Sequence, residues 1–372
     1  MKKAFVNCRI MPGGVLNVFC DLIELEKFSE AKIFTIFSDR EYLETKNGKI
    51  EVVTALPKWI NNIFLKFSNK KGFLAKILDY RNLMFFYKPL MKILSKKITN
   101  YKSPKVVISS FAIAKNLEFC KKDYNGDFRP ITYLYLHSPM QYIRSHNEEY
   151  IQKLKGFKLK IFKYITPKLR VWDQKYVNYD KVYTNSKYTS NLAKQIYDID
   201  SNVDYPKIDE TFLNSNINLE PNSYYIYVGR LVRFVKEVDK IIKLFNEINE
   251  PLLIMGSGPD EKYLKSIAKG NIIFIGRIKD PKEKAKIIKN AKGMINITKE
   301  SFGIVTVESL LLGVPVFAYN DGASPELVDN NSGILVPNKK HDTLLEYFQK
   351  FSKRDRDRSF IKKDILEKIK KA

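Results

Sequence analysis

Cysteine, histidine and long apolar runs are scarce in this chain. The three cysteines, Cys8, Cys20 and Cys120, do not follow metal-ligand spacing, so we predict neither a zinc centre nor a disulfide framework. That usage favours a reducing, cytoplasmic compartment. No run of about 18 apolar residues occurs, so we predict no membrane-spanning helix.

The first residues are basic and then apolar, which superficially resembles a signal peptide. Asn7, Cys8 and Arg9 end the apolar run too early for one, so we predict a first β-strand there instead. The sequence also lacks short internal repeats.

Acidic residues are few beside basic ones, 41 against 65, which gives a net charge of +24. Such an excess indicates an anionic partner: nucleic acid, a membrane surface or phosphorylated substrates. Lys-, Ile- and Asn-rich usage can also reflect genome composition, which would explain part of the charge without any function. The apolar content of 44% is ordinary, and 372 residues suffice for two packed domains.

Short apolar runs alternate with helix-like segments along the whole chain. We predict strands at Ala4–Val6, Lys32–Phe37, Val106–Ser109, Ile131–Leu136, Val182–Thr184, Tyr224–Val228, Leu252–Met255, Ile272–Ile275, Met294–Ile297 and Pro315–Ala318. Segments of helical period, such as Val15–Phe28, Val238–Ile248 and Lys282–Lys289, lie between them. The alternation predicts two Rossmann-like, doubly wound α/β domains that face a cleft at the carboxyl ends of their strands.

We place the domains at residues 1–200 and 201–350, with a helical tail at 351–372. The polar stretch 198–222 is predicted to be the connection together with one edge strand.

Two carboxylates, Glu300 and Glu308, bracket a predicted strand-to-helix segment that contains Phe302-Gly303-Ile304. A helix N-terminus offers unpaired N–H groups and the positive end of a dipole, which suits an anion. Carboxylates accept hydrogen bonds from hydroxyl groups. The combination therefore fits a ligand that carries both phosphate and hydroxyls, such as a sugar nucleotide.

A pair of cations follows the strand predicted at Tyr224–Val228. Arg230 lies in the turn Gly229-Arg230-Leu231, and Lys236 stands where a helix is expected to begin. Two cations would suit a leaving diphosphate, whose charge develops as the bond breaks. Taken alone, the pair is explained more simply as solvated side chains at a helix start.

Glycine turns follow the next two strands, at Gly256-Ser257-Gly258 and Gly276-Arg277. They would let backbone approach a ligand or a nucleobase, but such turns are also common for packing alone.

The N-terminal half offers two further candidates. The N–H of Gly14, after Pro12-Gly13, could contact a phosphate, or the turn could serve packing only. His137 ends a predicted strand just before the turn Ser138-Pro139-Met140, where it could reach a ligand. The ordinary alternative is a buried, hydrogen-bonded histidine.

Together these blocks resemble the retaining GT-B glycosyltransferases of family 4, which build lipopolysaccharide, capsule and related glycans in bacteria. The resemblance is strongest over residues 224–337 and rests on the order and spacing of motifs. It is looser in the N-terminal half and finds no clear motif between residues 43 and 105. Its other supporting blocks are Gly313-Val314-Pro315-Val316, Pro325-Glu326-Leu327-Val328, Gly333, His137-Ser138-Pro139-Met140 and Asn185-Ser186-Lys187-Tyr188-Thr189.

The resemblance implies a role for each candidate. Arg230 and Lys236 would bind the donor diphosphate. Glu308 would bind the ribose and Glu300 the sugar hydroxyls, while His137 would lie near the transferred sugar. The other donor-binding positions that it implies are Gly14, Gly229, Gly256, Arg277, Ile278, Phe302, Gly303, Ile304 and Val305.

The resemblance also implies a reaction. The donor nucleotide sugar would bind the C-terminal domain and the acceptor the N-terminal one. Anomeric configuration would be retained through front-face substitution assisted by the leaving phosphate, without a metal or other cofactor. The His137–Met140 block is similar to bacterial O-antigen mannosyltransferases, which makes GDP-mannose the expected donor.

Residues 56–105 combine 12 lysines and arginines with a single acid, Asp79. Such a mixture with aromatics fits single-stranded nucleic acid or an anionic membrane. Beside the other motifs, it predicts a peripheral face on the inner side of the cell membrane that presents a lipid- or glycan-linked acceptor, and no nucleic-acid partner. Alternatively, the aromatics enter the core and the lysines are solvated. The aromatics are Trp59, Phe64, Phe67, Phe73, Phe85, Phe86 and Tyr87.

Other functions fit the same architecture. A sugar phosphorylase or a nucleotide-sugar epimerase is one alternative, although no lysine stands out for pyridoxal phosphate. A non-catalytic binding module for nucleic acid or for a glycan-assembly partner is another. The four charged candidates argue against a scaffold, which has no use for all of them together; they are Arg230, Lys236, Glu300 and Glu308.

Overall fold

The computed structural model describes residues 1–10, 14–68, 86–218 and 224–370, without the side chains of residues 64–68. The chain forms two compact units. The first comprises Met1–Asn185 and Thr189–Asp204, and the second comprises Ser186–Tyr188 and Tyr205–Ala372. No helix in the described part of the chain is both long and apolar enough to cross a bilayer.

The described strands of the first unit form one sheet. They are β1 (Lys2–Ile10), β2 (Glu30–Ser38), β3 (Tyr42–Thr45), β4 (Gly48–Thr54), β5 (Lys105–Ser110), β6 (Ile131–Leu136), β7 (Lys181–Thr184) and β8 (Asn202–Val203). Their order is β3-β4-β2-β1-β5-β6-β7-β8. The pairs are parallel except the antiparallel β3–β4.

Helices cover both faces of this sheet. They are α1 (Gly14–Glu24), α2 (Lys58–Ser68), α3 (Tyr87–Tyr101), α4 (Asn147–Lys153), α5 (Gly156–Asp173) and α6 (Lys187–Tyr197). Because successive strand residues point to opposite faces, β1 contributes to two cores. Phe5 packs in one with Phe19 of α1, whereas Val6 packs in the other with Leu94 of α3 and Leu169 of α5.

The second unit contains an entirely parallel sheet among its described residues. Its strands are β9 (Tyr225–Val228), β10 (Leu252–Met255), β11 (Ile272–Gly276), β12 (Gly293–Asn296), β13 (Val316–Tyr319) and β14 (Gly333–Val336), in the order β11-β10-β9-β12-β13-β14. Its helices are α7 (Glu210–Asn214), α8 (Arg233–Lys236), α9 (Val238–Ile248), α10 (Glu261–Ile267), α11 (Pro281–Lys289), α12 (Ile304–Leu311), α13 (Ser324–Leu327), α14 (His341–Lys353) and α15 (Arg358–Lys370).

Local sequence signals explain where these helices begin and end. Asp280 accepts a hydrogen bond from the Lys282 N–H at 3.1 Å, and Pro281 opens α11 with a backbone angle suited to a helix. At the end of α9, Asn249 takes a left-handed φ of 55°, and its N–H donates to the Phe245 carbonyl.

The final helix packs within the second unit. Ile361 and Ile365 of α15 lie in the same apolar core as Leu310 of α12. Arg358, at the start of α15, donates to the carbonyls of Asn218, Lys289 and Ala291.

The predicted architecture is confirmed: the chain is α/β with two Rossmann-like, parallel-sheet units. Each of the ten predicted strands is present, and β8 supplies the predicted edge strand at the end of the first sheet. The hairpin β3–β4 was missed, although Asn47-Gly48 between two alternating segments is a turn signal. Leu43, Ile50 and Val52 are its inward-facing residues.

Candidate functional site

The strand order of the second unit brings two loops together at the carboxyl ends of its sheet. The chain places β10 and β11 on one side of β9 and β12 on the other. Met294 of β12 pairs in parallel with Ile226 of β9. Ligands of open α/β sheets bind at such switch points. The turn with Arg230 follows β9, and residues 297–303 follow β12, so both predicted blocks flank this point.

This arrangement joins Lys236 to Glu300, which are 64 positions apart in sequence. Lys236 Nζ donates to Glu300 Oε1 at 2.5 Å. The two side chains remain 27% and 25% exposed, so a ligand can reach the pair from solvent. Lys236 ends α8, where the next residue, Glu237, takes a left-handed φ of 50°.

The loop after β13 fixes the backbone of Glu300. The Ala323 N–H donates to the Glu300 carbonyl at 2.9 Å. Gly322 lies against the same carbonyl with a φ of +67°, and a Cβ there would lie only 2.3 Å from that oxygen. The sequence analysis missed Gly322, although Asp321-Gly322, shortly after a predicted strand, is a turn signal.

Helix α12 begins beside the Glu300 carboxylate. Gly303 precedes it with a φ of +94°, and a Cβ there would lie 3.8 Å from Glu300 Oε2. Among the described residues, no backbone carbonyl accepts a hydrogen bond from the N–H of Phe302, Gly303 or Ile304. These donors and the positive end of the helix dipole thus lie next to the Lys236–Glu300 pair.

The Phe302 side chain belongs to the core. It is buried, and its ring centroid lies 5.1 Å from that of Tyr205. Only the backbone of Phe302 therefore contributes to the site. Ile278, Ile304 and Val305 pack half-buried against the same core.

Arg230 is exposed, and the hydrogen bonds and ion pairs of the described residues do not involve its guanidinium. The backbone of its turn contacts the end of β10, because the Gly229 N–H donates to the Met255 carbonyl at 3.0 Å. Gly256 has a φ of +152°, and a Cβ on it would lie 1.8 Å from the Gly229 carbonyl oxygen. Packing alone therefore accounts for Gly256.

The loop after β11 continues this backbone packing. The Gly276 carbonyl accepts from the Gly256 N–H at 2.7 Å. Arg277 follows, and its side chain is exposed.

Glu308, on α12, is buried and paired. Lys284 Nζ of α11 donates to Glu308 Oε2 at 2.5 Å. Burial raises the pKa of Glu308, and the positive charge of Lys284 opposes that rise. The sequence analysis missed Lys284, because nothing in the lysine-rich segment distinguishes it from Lys282 or Lys286.

Two candidates belong to the first unit. Gly14 begins α1, whereas Pro12-Gly13 lie outside the described residues. His137 is buried after β6, with Nε2 2.8 Å from Ser109 Oγ. Burial lowers the pKa of His137 to about 3, so its imidazole is neutral near pH 7. Its surroundings are those of a hydrogen-bonded core histidine.

Glu326, which the sequence analysis named only within a supporting block, is hydrogen-bonded to other residues of the second unit. Glu326 accepts from the N–H groups of Lys187 and Tyr188, at 2.9 and 3.3 Å, and from the Tyr205 hydroxyl at 3.0 Å. A carboxylate at a helix N-terminus satisfies unpaired donors and interacts favourably with the dipole.

Parts of the basic-aromatic segment lie outside the described residues, including the side chains of Phe64, Phe67, Phe73 and Phe85. Within the described part, Trp59 and Phe86 are exposed, whereas Tyr87 is buried.

One family model matches most of the second unit. Residues 209–366 match the family model described as glycosyl transferases group 1. The match lies within the second unit, and the matched residues contain Lys236, Glu300 and Glu308.

The chain is also similar to individual proteins. Over 139 residues, the chain is 39% identical to the phosphatidyl-myo-inositol mannosyltransferase of Mycobacterium leprae; this match spans 36% of the chain and 34% of that protein. The structure resembles sucrose-phosphate synthase of Thermosynechococcus elongatus, with a TM-score of 0.69 and 15% identity over 100% of this chain and 94% of the other. It also resembles Anabaena HepE, solved with UDP and glucose, with a TM-score of 0.57 and 15% identity over 100% of both chains. The resemblance to GT-B glycosyltransferases of family 4 is confirmed.

Proposed function

We propose that the protein is a glycosyltransferase that moves a hexose from a nucleotide sugar to a lipid- or glycan-linked acceptor in cell-surface polysaccharide synthesis. The observation that carries the proposal is the contact between Lys236 and Glu300 beside the start of α12. There, a cation, a carboxylate and unpaired N–H donors lie at the switch point of a parallel sheet. A sugar diphosphate needs each of these groups.

In this proposal the leaving diphosphate is bound by cations and N–H groups. Lys236 and the exposed Arg230 neutralise the charge that develops on the leaving oxygen, which is where preorganised charge lowers a barrier most. The N–H groups at Gly303 and Ile304 add donors that cost no reorganisation during the reaction. The exposed position of Arg230 leaves its guanidinium open to such a ligand.

Glu300 has a different task. Its Oε1 is taken by Lys236, while its Oε2 faces Gly303. The carboxylate then orients Lys236 and accepts a hydrogen bond from a sugar hydroxyl. It acts by positioning, because the leaving phosphate itself takes the acceptor proton in a front-face substitution with retention of configuration.

Glu308 is proposed to bind the ribose. Its Oε2 is held by Lys284, so ribose hydroxyls would be accepted mainly by its Oε1. Lys284 is then a positioning residue, and its positive charge opposes the rise that burial causes in the pKa of Glu308. The proposal invokes no metal, since Arg230 and Lys236 supply the positive charge.

Mannose from GDP-mannose is the proposed donor. The similarity to a mannosyltransferase supports the sugar. The Anabaena structure solved with UDP and glucose makes UDP-sugars the competing donors. The mycobacterial relative is named for a phosphatidylinositol, which supports a lipid-linked acceptor and a place for the protein at the inner face of the cell membrane.

A transfer assay tests the proposal. The purified protein is incubated with GDP-mannose and, separately, with UDP-, CDP- and ADP-sugars, each with a lipid-linked acceptor extract and with chelator present. We expect release of nucleoside diphosphate from one donor, with the product anomer matching that of the donor by NMR. No release from any donor would contradict the proposal, and an inverted anomer would contradict the mechanism.

A further inference from the structure

The outer face of α5 carries an exposed apolar stripe that the sequence analysis did not single out. Phe157, Tyr164 and Val171 are 76%, 63% and 60% exposed. They are spaced seven residues apart, so they lie along one side of the helix over about 21 Å. The opposite side of α5 is buried in the first unit through Phe162 and Leu169. We call the stripe, with Lys160, Lys163 and Lys168 beside it, the α5 face.

The sequence of α5 carries charge of one sign up to its last residue, Asp173. Residues 150–172 contain seven lysines and arginines and no acidic residue. The three lysines of the face are exposed, and Lys168 Nζ lies 3.6 Å from the Tyr164 ring centroid. The nearest acid after the face, Asp173, is buried and ion-paired with Lys115. Nothing within this stretch of sequence therefore neutralises the lysines.

Helix α3 packs on the same face of the first sheet as α5. Its Leu94 and Leu169 of α5 pack in one core on one face of the first sheet. A chain of four aromatic rings links the two helices, with neighbouring centroids 6.2 to 6.3 Å apart; it runs through Tyr87, Tyr142, Tyr150 and Phe162. The outward side of α3 repeats the composition of the α5 face, with exposed Phe86, Ile93, Lys92 and Lys96.

We propose that the α5 face, continued by the outward side of α3, docks the first unit on an anionic membrane surface. Aromatic and aliphatic side chains between lysines are what a helix lying in the headgroup region presents. The lysines then meet anionic headgroups while the stripe enters the upper acyl region. The proposal rests on the lipid-linked acceptor proposed above, and it assigns the main contact to a helix outside residues 56–105.

An anionic bilayer fits this face better than a second copy of the chain does. A two-fold contact would place the lysines of one copy against those of the other, because the same patch must pair with itself. With no acid in residues 150–172, that contact would bring like charges together.

Vesicle cosedimentation of the full chain tests the inference. Vesicles of phosphatidylglycerol and phosphatidylcholine are compared with phosphatidylcholine alone, at low and at high salt. We expect salt-sensitive binding to the anionic vesicles only. The triple variant Phe157→Ser, Tyr164→Ser, Val171→Ser should lower the partition coefficient by roughly tenfold or more. The variant Lys160→Gln, Lys163→Gln, Lys168→Gln should flatten the salt dependence.

A matched control places the same substitutions on the second unit, at Phe360→Ser, Tyr263→Ser and Ile273→Ser, where the side chains are also exposed. This control should bind vesicles like the wild type. Wild-type binding by both the stripe and the lysine variants, or equal binding to neutral vesicles, would overturn the inference. So would a wild-type dimer that dissociates in the stripe variant during sedimentation.

A soluble-acceptor assay separates this inference from the proposed function. If both hold, the stripe variant transfers sugar to a water-soluble acceptor at the wild-type rate while it loses vesicle binding. Absence of transfer by the wild type would refute the proposed function without touching the vesicle result.

Discussion

At the scale of single residues, the chain contains buried ionisable groups of two kinds. Burial keeps His137 neutral near pH 7, whereas the buried Glu308 contacts Lys284. A buried group that is neutral and one that is paired respond differently to pH and to substitution. Each therefore gives a prediction that can be measured without knowing the substrate.

The stability of the fold should depend on pH through His137. In the unfolded chain this imidazole gains a proton below about pH 6.5, whereas in the folded protein it does so only at about 3. Between these values the unfolded state binds more protons, so the free energy of unfolding falls as the pH drops, and the contribution is constant above about 6.5. We measure the free energy of unfolding in urea near pH 7 and near pH 5. It should fall less between these two pH values in His137→Gln than in the wild type.

The exposed Ile273 supplies the control, because Ile273→Ser neither adds nor removes a titratable group and should leave the pH dependence as it is in the wild type. An unchanged pH dependence in His137→Gln would show that His137 is not kept neutral by the fold.

Removal of Lys284 should destabilise the protein, because it leaves the Glu308 carboxylate buried without its partner. Breaking a buried pair costs about 3 kcal/mol or more. We expect Lys284→Met to lower the free energy of unfolding by about 3 kcal/mol near pH 7. The loss should shrink as the pH falls, since protonated Glu308 needs no counter-charge and its folded pKa lies above the unfolded one. Denaturant unfolding measures this.

Two further variants sharpen the Lys284 experiment. Lys286→Met, on the exposed side of the same helix, should lie within about 0.5 kcal/mol of the wild type. The double variant Lys284→Met, Glu308→Gln should recover part of the stability. A single variant as stable as the wild type would mean that the ion pair contributes nothing.

At the scale of elements, the site is formed by loops that follow parallel strands. Neighbouring loops fix the positions of these loops. Gly322 and Ala323, after β13, fix Glu300 after β12. The turn of Gly256, after β10, supports the turn of Arg230 after β9. The positions of the catalytic candidates thus depend on glycines that pack directly against the backbone of a neighbouring loop.

The variant Gly322→Ala should displace Glu300. The left-handed φ and the 2.3 Å approach to the Glu300 carbonyl leave no room for a methyl group. We expect a loss of about 1 to 3 kcal/mol in stability, together with weaker donor binding. Gly270→Ala is the matched control, because open space surrounds that position. Donor affinity equal to the wild type in Gly322→Ala would contradict the role of this loop.

The sequence predicted the elements better than it predicted the contacts between them. Apolar runs and glycine turns located the strands, because strands buried on both faces are continuous apolar runs. The spacing of Glu300 and Glu308 was visible, but their partners Lys236 and Lys284 lie 64 and 24 residues away, on separate helices. Periodicity carries no information about such contacts, which are set by the order of strands in the sheet.

At the scale of the whole molecule, the basic residues of the two units are proposed to bind different anionic partners. In the second unit, Arg230 and Lys236 are proposed to bind an anionic donor. In the first unit, the lysines of α5 and α3 are proposed to face an anionic membrane. A net charge of +24 alone could not distinguish a phosphate ligand, a membrane or a nucleic acid. The two proposals rest instead on where the cations lie in each unit.

The central claim is that a nucleotide sugar binds where Lys236 meets Glu300. Calorimetric titration of GDP-mannose, and of UDP-, CDP- and ADP-sugars, into the wild type tests it directly. The comparison is with Lys236→Ala and with Lys240→Ala, a nearby lysine that pairs with Glu237 instead. The account predicts one donor bound at one site per chain, an affinity weaker by at least roughly tenfold in Lys236→Ala, and wild-type affinity in Lys240→Ala. Equal affinity in the wild type and Lys236→Ala, or binding of none of these donors, would contradict it.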